Sequence, residues 1–219
     1  MSLNLAIHLT SIFMALAFIQ QSLEHLQGDR TERTLFISRL TLSVLLLFGF
    51  WPQWVCLVLL VNALFILKRS QGPYNGGSDR MGLLILCCLC LVYWVPAQHW
   101  QEYIFGYLAL QLVLSYFIAG WVKVMNPEWR TGQALQDVFQ FSAYPVSESL
   151  RDWAKRPKLL FLMSWSVILF ELFFPLTLAT PITLMVGLSI AALFHLANAH
   201  LFGLNRFFWI WLAAYPALL

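Results

Sequence analysis

Charge is what this sequence has least of. Only 11% of its 219 residues are Asp, Glu, Lys or Arg, where a water-soluble domain carries about 25%. None falls between Leu40 and Leu67, and Glu171 stands alone between Leu159 and Asn205. A soluble fold is therefore excluded. Metal-ligand spacing is also missing. Three of the four cysteines crowd into "CCLC" at positions 87–90, where they read as small apolar filler. His195 and His200 are five apart, so they do not converge as an i,i+4 pair would, and no metal is expected. There is no phosphate-loop or dinucleotide glycine motif. The glycine-rich "GPYNGGSDR" joins two apolar runs, without the strand-to-helix context such a motif needs. The net charge of +3 is too modest to suggest nucleic acid as a partner. No basic region or small-residue cleavage site marks the N-terminus as a secretory signal, and the apolar stretch Leu3–Leu23 is long enough to span.

What is present is hydrocarbon. Hydrophobic residues make up 60% of the chain, and its mean hydropathy is +0.73. Unbroken Leu, Phe and Val blocks, rather than ten-residue alternation, predict helices and not a β-barrel. Eight hydrophobic segments are expected, near 3–24, 35–50, 54–67, 81–97, 103–125, 158–177, 182–201 and 205–219. The last is short, so seven crossings is the second count. The expected fold is an all-α polytopic transmembrane bundle forming a single domain over 1–219. Within it, 126–157 mixes Trp, Phe and charge and predicts helices lying at the interface as a partial lid. "SESLRDWAKR" opens on Ser and Glu and closes on Lys and Arg, as a short capped helix does. Eleven of the thirteen Lys and Arg fall in loops on one side. The retention of positive charge in the cytoplasm then predicts cytoplasmic basic loops and both termini outside.

Against this background a few polar residues stand out. Lys123 sits in "YFIAGWVKVMNPEW". It either snorkels to the headgroups or marks a functional site. Tyr116 shares its helix face two turns earlier, and Gly120, one turn earlier, leaves room for a backbone or a flat ligand. Glu171 lies mid-segment in "SWSVILFELFFPL", with Ser164 on the same face; a carboxylate there needs a partner or a proton. His195 and Asn198, three apart, face one way in "LFHLANAHLFGLNRF". Each polar group could equally be a structural contact inside the bundle.

Two blocks, "YFIAGWVKVMNPEWRTG" and "FHLANAHLFGLNRF", resemble the vitamin K-dependent γ-carboxylase-like family, also called the horizontally transferred transmembrane domain family. The first matches that family's signature at Tyr116, Phe117, Gly120, Lys123, Trp129 and Gly132. The second matches at Phe194, His195, Asn198, Leu201 and Phe202, and Glu171 on the preceding helix also fits. The resemblance implies a reduced quinone of vitamin K or menaquinone type as cofactor. It implies Lys123 as a neutral amine base, with oxygen addition to the quinone driving carboxylation of a peptide glutamate. Lys123, His195 and Glu171 would be the catalytic residues; Tyr116, Gly120, Asn198 and Trp129 would bind substrate or cofactor. Two departures bear on this. Asn75-Gly76-Gly77 stands where the carboxylases have Asn-Asn-His, and Lys123 to Trp129 is one residue longer than in the carboxylases. The expectation is thus a quinone- or lipid-using enzyme of a bacterial inner membrane, coupled to peptide modification. The alternative is a non-catalytic membrane subunit that guides a peptide or partner protein. A small transporter would call for internal repeats, and none is visible.

Overall fold

Apolar runs bounded by turn residues become helices close to where the sequence places them. The computed structural model describes residues 1–69, 77–141 and 148–219, and these are helical almost throughout. In order they are α1 (Leu3–Glu24), α2 (Arg30–Leu47), α3 (Pro52–Arg69), α4 (Gly77–Trp94), α5 (Gln98–Met125), α6 (Pro127–Thr131), α7 (Gln133–Phe141), α8 (Glu148–Arg151), α9 (Pro157–Phe173), α10 (Pro181–Phe202) and α11 (Asn205–Ala214). Short 3-10 turns follow α8, α9 and α11. Asn75 and Gly76, most of the glycine-rich loop, and Ser147 at the head of the capped-helix motif lie outside the described residues.

Boundaries follow capping chemistry. The Glu32 N–H donates to Asp29 Oδ1 at 2.8 Å and starts α2. Asn126 Oδ1 accepts from the Glu128 N–H at 2.9 Å, with Pro127 at the first position of α6. Thr180 and Thr183 form a reciprocal capping box on α10, closed by hydrogen bonds of 3.0 and 3.1 Å.

The expected eight segments all appear as helices, but they are not equally suited to a bilayer. Among the described residues, six helices are long and apolar enough to cross: α1, α3, α4, α5, α9 with its 3-10 extension, and α10. The other two fall short for different reasons. α2 has the length but carries Arg30, Glu32, Arg33 and Arg39, whereas α11 has only ten residues, about 15 Å of rise. Large apolar side chains lie on the outside throughout, including Phe65, Leu162, Leu176, Ile182 and Leu193. Lipid, not water, is the solvent such a surface fits. This is an integral, all-helical membrane protein.

The chain groups into two compact units, one of residues 1–109 with 206–219 and the other of 110–205; α5 contributes to both. In the first unit α1 packs on α2, α2 on α3 and α3 on α4, while α1 also meets α4 and the C-terminal 3-10 turn. Met14, Phe18, Leu59, Ile85, Leu86, Leu89 and Leu108 are among its fully buried large residues. Ala6, Ser11, Ala15, Ala17 and Ser22 are buried along α1, and small residues of this kind let membrane helices approach closely. The Met1 α-amine donates to the Leu219 carbonyl at 2.6 Å, so the two ends of the chain lie together.

In the second unit α9 is the central support. Leu160, Ser164, Ile168 and Glu171 form its buried stripe, at the spacing of one helix face. The 126–157 stretch is helical where described, as expected, and it packs rather than hangs free. Leu135 and Phe139 of α7, Ala154, Leu160 of α9 and Phe202 of α10 make one core, flanked by Trp129, Trp153 and Leu201.

Candidate functional site

A glycine creates the site by removing a side chain. On α5, Tyr116, Gly120 and Lys123 recur at i, i+4 and i+7 and share a face. A Cβ on Gly120 would lie 2.6 Å from the Leu172 nitrogen and 3.0 Å from the Glu171 carbonyl carbon. The backbones of α5 and α9 are therefore in direct contact at this point. Of the two visitors that Gly120 could admit, a backbone or a flat ligand, the structure seats the backbone of α9.

That contact sets Glu171 opposite Lys123. Lys123 Nζ donates to Glu171 Oε2 at 2.6 Å. The carboxylate side chain is 6% exposed and the lysine side chain 17%. The pair is largely sealed, but the amine retains some access. The Trp129 ring lies with its centroid 5.1 Å from Nζ, within cation–π range. Two bonds from α9 to α6 hold Trp129 there. Ser164 Oγ donates to the Trp129 carbonyl, and Trp165 Nε1 donates to the Arg130 carbonyl at 3.0 Å. Gly132, at φ +83°, ends α6 against α9; a Cβ there would come within 2.9 Å of the Phe161 backbone.

About 10 Å along α5, a second polar pair forms. Tyr116 Oη and His195 Nε2 are 2.9 Å apart, and both residues are buried. Phe174 lies against the tyrosine ring at 4.1 Å between centroids, with Phe170 at 6.0 Å. Glu171 and His195, both expected among the catalytic residues, divide between the two pairs. In the structure Glu171 takes Lys123, and His195 takes Tyr116.

The remaining candidates play other parts. Asn198 is half-buried, and its carbonyl accepts the Gly203 and Leu204 N–H groups that close α10. Its side chain makes no hydrogen bond among the described residues. Phe194 meets Phe170 at 6.2 Å, and Phe117 stacks on Trp121. Leu201 and Phe202 belong to the α7–α9–α10 core. Two contributors escaped the sequence reading, the aromatic walls Phe170 and Phe174. They lie one residue before Glu171 and three after it, but nothing marks them within a run of phenylalanines. Among the described residues, no group of three or more His, Cys, Asp or Glu could hold a metal ion.

Chemically, the site offers an amine–carboxylate couple sharing a proton and a phenol–imidazole couple doing the same. Both are framed by aromatic rings on apolar helices. The fold and these pairs define a polytopic helical membrane protein with an intramembrane polar site. Residues 94–219 match the HTTM domain family model, which is more than half of the chain, and the protein belongs to that family. The matched region contains every residue of both pairs. No curated protein and no solved structure matches the chain.

Proposed function

We propose that this protein is a membrane enzyme in which Lys123, partnered by Glu171, takes a proton from a reduced quinone or a related lipid. The observation that carries this is the 2.6 Å Lys123–Glu171 contact, with the amine still partly accessible. The donor set suits such a molecule. An amine–carboxylate couple can accept the proton of a phenolic hydroxyl, and the indole of Trp129 beside Nζ gives a flat face for a ring. A bound reduced quinone would supply an oxygen-reactive ring. The chain's own residues do the rest. Lys123 receives the proton, and Glu171 orients the amine and balances its charge. Tyr116 and His195 hold a second exchangeable proton, while the apolar faces of α5 and α9 exclude water.

The relation to the carboxylases extends this to modification of a peptide, supplied by a substrate or a partner protein. The placement that goes with it is a bacterial inner membrane, with basic loops in the cytoplasm and both termini outside. The meeting of Met1 with Leu219 favours an even number of crossings.

One observation favours a second reading, a non-catalytic subunit that guides a peptide or partner. The Gly120 contact and the Lys123–Glu171 pair join α5 to α9, which is work that a purely structural pair would do.

The test is turnover by purified protein in proteoliposomes given reduced menaquinone or vitamin K under oxygen, with the quinone epoxide read by mass spectrometry. Epoxide from wild type and none from folded Lys123→Met is the expected result. Equal turnover by Lys123→Met would remove the base role. A wild type without turnover, whose Glu171→Ala variant unfolds, would favour the subunit.

A further inference from the structure

Another ionisable residue is buried in the first unit, and among the described residues its side chain has no hydrogen-bonding or ion-pair partner. Arg39 of α2 is 5% exposed. Its guanidinium lies over the Phe18 ring, 3.5 Å from the centroid, with Phe36 at 5.9 Å. Its Nε is buried without a hydrogen-bond acceptor. Among the described residues no carboxylate pairs with it; the ion pairs formed include His25–Glu32, Arg69–Asp29, Lys123–Glu171 and Lys155–Asp152. The charged groups within electrostatic reach are Arg206 and Asp79. Arg206 repels Arg39 and is itself hydrogen-bonded to His25, the residue that caps the end of α1. Asp79, in the first turn of α4, attracts Arg39 without bonding to it. Phe18, Gln21 and His25 share one face of α1, and Gln21 is buried as well.

A buried guanidinium is strongly disfavoured unless it is paired, and a stacked ring offsets only part of that penalty. The missing partner is an anion, and the arginine fork fits the oxygens of a phosphate. Its surroundings point to the source. Arg39 lies about 13 Å along α2 from Arg30. Ile37, Val44, Leu64 and Phe65 stand exposed on α2 and α3. A soluble anion would have to approach Arg39 past this apolar surface. A phospholipid whose chains lie against that surface brings its phosphate with it.

We propose that Arg39, with Arg206 beside it, binds the phosphate of an anionic phospholipid among α1, α2, α4 and α11. A zwitterionic lipid would add a quaternary cation next to Arg206 and bind less well.

Thermal unfolding of the full chain in non-ionic detergent tests this, with phosphatidylglycerol, phosphatidylcholine or inorganic phosphate added at matched ionic strength. Phosphatidylglycerol is expected to raise Tm by about 5 °C more than phosphatidylcholine. Arg39→Met should abolish that difference and Arg206→Gln should reduce it. An equal rise with inorganic phosphate, lost in Arg39→Met, upholds an oxyanion site at Arg39 but assigns it to a soluble ion. Equal effects of the two lipids on wild type, with none from phosphate, overturn the proposal. If Arg39→Met does not fold, native mass spectrometry of wild type decides. Phosphatidylglycerol adducts outlasting those of phosphatidylcholine support the site, and equal survival refutes it.

Discussion

Lys123 and Glu171 are each costly in hydrocarbon and affordable together. Removing one partner strands the other, and breaking a buried pair in this way costs about 3–5 kcal/mol. Glu171→Ala should therefore lower thermal stability by that order, and Lys123→Met added to Glu171→Ala should recover most of the loss. A double variant no more stable than Glu171→Ala would show that the pair is not the cause. Gly120→Ala attacks the same place from the backbone. Its Cβ would fall 2.6 Å from the Leu172 nitrogen, and overpacking of this kind costs about 1–3 kcal/mol; a melting curve of the variant in detergent measures it. Both charged members were legible in the sequence because each interrupts an apolar run. Their partnership was not, since a single chain does not reveal which helices abut. Arg39 shows the complementary limit. At the edge of a segment it reads as one more basic residue near a loop, and only the packing of α1 against α2 reveals that it is buried on Phe18.

Elements are set by their ends. Asp29 caps α2, and Arg69 at the end of α3 reaches it at 2.5 Å. The Glu32 N–H first, and the Arg69 guanidinium second, hold the Asp29 carboxyl below its ordinary value of 3.8. A carboxyl depressed in the folded state binds its proton more readily when unfolded. Its contribution is thus complete above about pH 4 and fades as pH falls through the lower folded value. The Tm of wild type should accordingly drop more steeply than that of Asp29→Asn below pH 4, and parallel curves would assign acid sensitivity to other groups. The pairing of Lys155 with Asp152 likewise raises the lysine and lowers the aspartate. Caps and proline breaks made helix positions readable in advance. The fold-back of 126–157 onto α9 was less so. The sequence signals an amphipathic element, but the surface it covers depends on Ser164 and Trp165 finding the carbonyls of α6.

For the whole molecule, the charge bias yields an orientation that can be measured. The native cysteines Cys56, Cys87, Cys88 and Cys90 are all free thiols, so replacing them gives a background for single labels. With a membrane-impermeant maleimide on intact cells, Ser2→Cys should be labelled. Lys155→Cys, at a side chain 80% exposed, should be protected until the membrane is opened. The reverse pattern would invert the assignment of basic loops to the cytoplasm.

The contact of α1 with the C-terminal 3-10 turn, Tyr215–Leu218, also has a consequence for synthesis. α1 is synthesised well before the turn it packs against, and residues 110–205 come between them. The unit containing both must therefore wait, open on one side, while residues 110–205 are translated and inserted. Its closure follows the synthesis of Tyr215–Leu218, and a nascent chain stalled before Tyr215 would leave that side of α1 uncovered.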